Sequence, residues 1–243
     1  MSGYSGRGVH GQLVAELGAR IVSGELGRSD VIDLAALGRD LDVSMTALRE
    51  AMKVLAAKGL VEARQKRGTY VRDREHWNLL DSDVIRWRSQ AGDTVAVLRD
   101  LAEVRAVVEP AAASMAALRR DDRDLAELDA ALAGMADAVG AGAAAEVAAD
   151  LRWHRAMLRA THNEMLARMD VLIEPALSLR DALVHETAAD DPVPSHAAVV
   201  EAVRGQDPEA AAAAMTSLLD KAAQDAASVL GGRHTEEEEA VTE

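Results

Sequence analysis

The first sixty residues carry apolar stripes of helical period separated by short polar breaks. Val9, Leu13, Leu17 and Ile21 recur every four residues, one face of a helix that ends in the turn Ser23-Gly24-Glu25-Leu26-Gly27. Asp33 stands where it can cap a short helix carrying Leu34, Leu37 and Leu41, and Asp42-Val43 makes the next turn. Ser44 suits the N-cap of a further helix running to about Lys58, with Leu48, Met52, Val54, Leu55 and Ala56 toward a core and Gly59 as its stop. The pattern then changes. Leu60–Ala63 and Thr69–Val71 are short β-prone runs flanking Arg64-Gln65-Lys66-Arg67-Gly68, a basic hairpin tip with a glycine where positive φ is affordable. Helix, helix, turn, helix, basic hairpin is the order of a winged helix-turn-helix, assigned to residues 1–74.

Residues 75–93 read as a linker and linking helix, in which Asp81, Ser82 or Asp83 can cap a segment containing Val84, Ile85 and Trp87. From there the pattern is helical throughout, over about 94–119, 122–139, 143–161, 163–184, 195–204 and 208–230. Gly140-Ala141-Gly142 and Asp190-Asp191-Pro192-Val193-Pro194 are breaks. Residues 94–231 therefore form an all-α bundle, and 232–243, with four consecutive Glu, a disordered acidic tail. The fold class is mainly α: an N-terminal winged helix-turn-helix and a C-terminal helical bundle.

Composition and charge sharpen this picture. A chain of 243 residues is long enough for two cores. Phe is absent, and alanine runs at 111–113 and 210–214 suit helices packed by small side chains. Without Cys, neither a disulfide framework nor a thiolate metal site is possible. The start, MSGYSGRGVH, lacks the apolar core of a signal peptide, and no apolar run reaches the roughly 18 residues of a membrane helix, so a cytoplasmic protein with no membrane partner is expected. The net charge of −14 argues against nucleic acid only when averaged. Residues 1–80 hold 12 Lys and Arg against 10 Asp and Glu, whereas the rest holds 15 against 31. Ser44 to Arg74 has eight basic residues against three acidic ones, the footprint that a phosphate backbone requires.

A recognition helix enters the major groove by its N-terminal end, where small polar residues and one long basic residue are useful; Ser44, Thr46 and Arg49 supply them. Lys66 and Arg67 at the hairpin tip can straddle the backbone or reach the minor groove. The plainer reading makes Arg49 a solvated helix residue paired to a neighbour, and the hairpin an ordinary turn.

In the bundle, polar residues fall on apolar stripes. Asp150 and His154 project from one face with Val147, Leu151 and Leu158; His196 shares a side with Val199 and Val200; Arg105 lies among Leu98, Leu101, Val104 and Val108. An interior with one carboxylate, two imidazoles and one guanidinium is expensive unless those groups bind something. The plainer reading has Asp150 orienting His154, and Arg105 paired with Glu109 or Glu103.

The run LGRDLDVSMTALREAMKVLAAKGLVEARQKRGTYV resembles the N-terminal domain of the GntR family of bacterial regulators, over residues 8–72. The resemblance implies DNA contacts at Thr46, Arg49 and Gly68. Ala35 and Met45 stand where many members carry Arg, which removes contacts there. LAEVRAVVEPAAASMAA, DLRWHRAMLRATHNEML and SHAAVVEAVRGQDPEAAAAAM resemble the FCD effector domain of the FadR subfamily, over Leu101–Met215. It implies that Asp150, His154 and His196 hold a divalent metal, such as zinc, beside which an acidic metabolite binds. The module's fourth ligand falls at Leu218, and Arg105 aligns with its usual arginine. HWNLLDSDVIRW resembles the linker of members that answer to sugar acids such as galactonate or gluconate.

These readings predict a non-enzymatic, ligand-responsive repressor: a homodimer on a double-stranded operator, released by a small carboxylate held by Arg105, Asp150, His154 and His196. Dimerisation rests on the resemblance and on the needs of palindromic recognition. Two alternatives stand beside it. One is a ligand-blind DNA-binding dimer with a decayed pocket; the other is a metalloenzyme using Asp150, His154 and His196, since two imidazoles and a carboxylate also serve non-haem iron.

Overall fold

The computed structural model describes residues 8–27, 31–65, 67–184 and 191–240. The chain divides into two compact units, one up to Val97 and one from Leu98 onward.

The first unit contains α1 (Val9–Ser23), β1 (Val31–Ile32), α2 (Leu34–Asp40), α3 (Met45–Ala57), β2 (Val61–Arg64), β3 (Gly68–Val71) and α4 (Ser82–Arg88). The caps act as the side chains dictate. Asp33 Oδ1 accepts from the Ala35 and Ala36 amides at 2.9 Å, and Ser44 Oγ accepts from the Ala47 amide at 3.2 Å, each satisfying amides that a helix start leaves open. β2 and β3 pair antiparallel with Val61 opposite Val71 and Arg64 opposite Gly68. Val31–Ile32, outside the expected elements, adds a third strand on β3, giving the order β1-β3-β2.

One core joins α1, α3, the sheet and the segment after it: Leu13, Leu17, Leu48, Leu55, Val71, Trp77, Val84 and Trp87 pack together. Trp77, Val84 and Trp87, from the segment expected as a linker and linking helix, thus belong to the first unit's core. Gly18 makes this possible, since a Cβ there would lie 2.5 Å from the Trp87 ring. Only a bare backbone lets the indole lie so close to α1.

The second unit contains α5 (Thr94–Arg119), α6 (Asp122–Ala138), α7 (Ala143–Arg159), α8 (Asp170–Val184), α9 (Val193–Arg204) and α10 (Pro208–Ala240). α5 begins four residues before the boundary. Its core is mostly small or flexible side chains, among them Ala113, Ala116 and Ala117 of α5, Leu128 and Met135 of α6, Met157 of α7, Val199 and Val203 of α9, and Met215 of α10, closed around Trp153. Small residues bring the helix axes close, so a chain without Phe still fills its interior.

Two expectations need correction. The helix over 163–184 is interrupted: Asn163 Oδ1 accepts from the Met165 and Leu166 amides after His162 turns through φ 50°. A 3₁₀ turn at Leu166–Arg168 follows, and α8 starts at Asp170. The disordered tail placed at 232–243 is helical to Ala240 as the end of α10. Glu and Ala are good helix formers, and Gly231 and Gly232 weaken the run without ending it; residues 241–243 lie outside the described residues.

Candidate functional site

In the first unit, α3 presents Ser44, Met45, Thr46, Arg49 and Glu50 on exposed positions of its first two turns, while Leu48, Ala51, Met52 and Leu55 are buried. The N-terminal end of α3 is thereby free to approach a groove. Glu50 pairs with Lys53 at 2.8 Å rather than with Arg49. Arg49 is exposed and has no side-chain partner among the described residues. Arg67 is exposed at the hairpin tip, and Lys66 lies outside the described residues. Gly68 has φ 97°, and a Cβ there would meet Val31 Cγ1 at 2.8 Å, so it shapes the wing through its backbone.

The basic footprint is narrower than the count of charges suggests. Lys58 is buried, with Nζ 2.8 Å from both carboxylate oxygens of Asp81 and 2.8 Å from Asp83 Oδ2. Lys58 caps the C-terminus of α3 and Asp81 caps the N-terminus of α4, so this ion cluster ties the recognition helix to α4 instead of serving phosphate. Burial pulls the Lys58 pKa down, but its hydrogen bonds to Asp81 and Asp83 outweigh this and leave it raised. Arg64 lies over the Tyr70 ring and pairs with Glu62, and Arg74 pairs with Asp93. Arg49, Arg67 and the half-buried Arg72 remain as the footprint's cations unengaged among the described residues.

In the second unit, the predicted residues converge. His154 from α7 and His196 from α9 are buried, and Asp150 stands one turn before His154. Asp150 Oδ1 lies 3.3 Å from His154 Nε2 and 3.1 Å from His196 Nε2, and the three donor atoms lie within 4.8 Å of one another. Each imidazole is held from behind. His196 Nδ1 lies 2.8 Å from the Pro192 carbonyl, to which it donates. His154 Nδ1 lies 2.5 Å from Glu109 Oε2, off the line of a hydrogen bond, so the contact is an ion pair. Charged, His154 donates Nε2–H toward Asp150; when a cation takes that proton's place, both Nε2 atoms and the carboxylate face it as acceptors. Three acceptors facing one another are stable only around a proton or a cation.

Arg105 is buried on α5, with Nε 2.5 Å from Glu109 Oε1 and Nη2 3.3 Å from His154 Nε2. The pairing with Glu109 is real and does not remove Arg105 from the site, because Glu109 bridges it to His154. Burial pushes the Glu109 carboxyl up, but the charges of His154 and Arg105 outweigh this and hold it at about 2. Asp150 is likewise driven up by burial, and hydrogen bonds to His154 and His196 bring it well below the carboxylate range. Burial depresses His154, yet Glu109 and Asp150 raise it to about 9. Leu218, at the fourth position, is buried beside Trp153 and Met215 and offers no ligand. Sequence reasoning missed Glu109 and Trp153 as members of the site. The signal for the first was its spacing of four from Arg105.

A second group, Asp121, Asp124 and His162, also brings three donors together. Its atoms are engaged by the α6 capping box and by the 2.7 Å contact of His162 with Asp124, so it is a structural corner.

No described helix is long and apolar enough to cross a membrane. The model of the bacterial regulatory proteins, gntR family, matches residues 10–71, and that of the FCD domain matches residues 100–221. The chain is 33% identical over 215 residues to the galactonate operon transcriptional repressor of Escherichia coli, covering 86% of this chain and 92% of that one. It is 35% identical over 150 residues to the transcriptional regulator LutR of Bacillus subtilis, covering 61% of this chain and 66% of that one. Among solved structures, that of Lar, which controls expression of the Listeria monocytogenes agr system, superposes with a TM-score of 0.63 at 18% identity, covering 90% of this chain and 97% of that one, a likeness of fold.

Proposed function

Because the chain belongs to the GntR family of bacterial regulators and carries an FCD domain, we propose that this DNA-binding transcriptional regulator is a repressor released by a hydroxylated carboxylate of the sugar-acid class. The observation that carries the reading is the convergence of Asp150, His154 and His196 beside Arg105. The name of the galactonate operon repressor supports the ligand class.

The three donors fit a divalent metal such as zinc. They are a carboxylate and two imidazoles, each imidazole oriented through its other nitrogen by Glu109 or by the Pro192 carbonyl. When bound, such an ion supplies open coordination positions for oxygens of a hydroxy acid. Arg105, with Nε and Nη2 already engaged, holds a fixed positive charge at the site that favours an anionic ligand. Glu109 keeps Arg105 and His154 in register. Lacking a fourth imidazole at Leu218, the site binds its ion more weakly than a four-ligand site.

The regulator acts as a homodimer in the cytoplasm, placing two α3 helices in successive major-groove faces of a near-palindromic operator. A second apolar face of α5 supports the dimer. Val104 is 40% exposed, Val107 74% and Leu118 63%, and with Ala111 they form a stripe opposite the buried face. In an antiparallel packing of two copies of α5 about Ala111, Val104 faces Leu118, Val107 faces Met115 and Ala111 faces itself. The acid releases DNA because it binds the operator-free state more tightly.

The test is thermal denaturation of the full chain with a panel of sugar acids, with and without zinc or chelator. A responsive protein is stabilised by mass action, by about 2.7 kcal/mol at a hundred times Kd. A ligand-blind dimer does not move with any acid.

A further inference from the structure

The core of the second unit encloses one indole. Trp153 is fully buried among alanines, valines and methionines, and its Nε1–H has no acceptor among the described residues. A buried donor without a partner is unfavourable, and a phenylalanine would carry no such donor. Trp77 shows how the chain treats such a group elsewhere: its Nε1–H donates to the Arg72 carbonyl at 2.9 Å.

The position of Trp153 matters as much as its open donor. The ring stands edge-on to His196, with centroids 4.5 Å apart, and edge-on to His154 at 5.0 Å. The two imidazoles are themselves 5.7 Å apart. The indole therefore borders both nitrogen ligands.

We propose that Trp153 is an effector-binding residue, its indole N–H donating to an oxygen of the acid bound at the Asp150, His154 and His196 site. This rests on the functional reading above and goes beyond it by naming the donor that distinguishes this site from one lined by hydrocarbon alone. Trp153 supplies a polar contact to the ligand itself. A hydrogen bond to a charged or hydroxylic oxygen then offsets in the complex what the free protein leaves open.

The test uses the full-length zinc-loaded protein, with galactonate and gluconate as probes. Binding of each acid is measured by calorimetry for the wild type and Trp153→Phe, together with zinc affinity. The expected result is acid affinity about 10- to 100-fold weaker in Trp153→Phe with zinc affinity unchanged. Because the smaller ring leaves space in the core, the wild type gives a second readout that needs no folded variant. In a ¹⁵N-indole spectrum with three tryptophan resonances, that of Trp153 moves downfield when acid is added, while that of Trp77 stays in place. Equal acid affinity in Trp153→Phe, or an unmoved Trp153 resonance in acid-saturated protein, overturns the inference and leaves the functional reading intact. If neither acid binds the wild type, the functional reading fails and this inference falls with it.

Discussion

Glu109 Oε2 lies 2.5 Å from His154 Nδ1, with both side chains buried, while the other Glu109 oxygen holds Arg105. One carboxylate thus sets both the imidazole face offered to a metal and the guanidinium offered to an anion. Replacing it by Glu109→Gln keeps the shape and removes the charge. The expected outcome is zinc affinity lower by about 10- to 100-fold, with operator binding in the absence of acid unchanged. Chelator competition measures the first and fluorescence anisotropy on operator DNA the second.

Arg49 is exposed on the first turns of α3 and unengaged among the described residues, so truncation removes no internal contact. Arg49→Ala is expected to weaken operator binding by about 1–3 kcal/mol per recognition helix at fixed salt. The melting temperature should stay within a degree or two of wild type. A gel-shift series at one ionic strength, with circular dichroism as the control for folding, checks both halves.

Much of this was legible beforehand, and the exceptions have physical causes. The change from helical to alternating period after Gly59 marks the wing because few other folds place a basic hairpin there. Val31–Ile32 is a strand only because β3 offers it a partner, a fact outside any local pattern. The break before α8 follows from Asn163 capping new amides, which competes with continuation of the helix. Lys58 counted as a cation for phosphate, yet Asp81 and Asp83, more than twenty residues later, bury it. Glu109 looked like a local partner for Arg105; its second oxygen reaches His154 only through tertiary packing.

The Lys58 cluster predicts an alkaline signature. The Lys58 pKa is raised above its ordinary 10.5 by Asp81 and Asp83, so its stabilisation is complete below 10.5 and lost as pH climbs through the raised value. Stability from this cluster is therefore flat between pH 7 and 9.5 and declines above 10.5. Lys58→Met is expected to cost about 2–3 kcal/mol at pH 7, since it leaves the half-buried Asp81 without its cation and the buried Asp83 with Arg86 alone, and to show a shallower decline above pH 10.5. Urea melts of both proteins across that range separate this lysine from the others.

Val107 is 74% exposed, so Val107→Asp leaves the fold intact while placing a charge in the α5 stripe. Analytical ultracentrifugation is expected to show a dimer for the wild type and dissociation at least about 100-fold easier for the variant. The chain contains no cysteine, so Ala111→Cys introduces a single thiol. Under mild oxidation it should crosslink two copies to each other if the symmetry lies at Ala111. A dimer unaffected by both changes puts the interface elsewhere.

The most direct test of the account is operator binding by the zinc-loaded protein, titrated with galactonate and gluconate at constant salt, beside Asp150→Ala. The account predicts that at least one acid weakens operator affinity by tenfold or more in the wild type, and that Asp150→Ala binds DNA normally but ignores the acid. Operator affinity unmoved by every acid, or an equal response from Asp150→Ala, contradicts it.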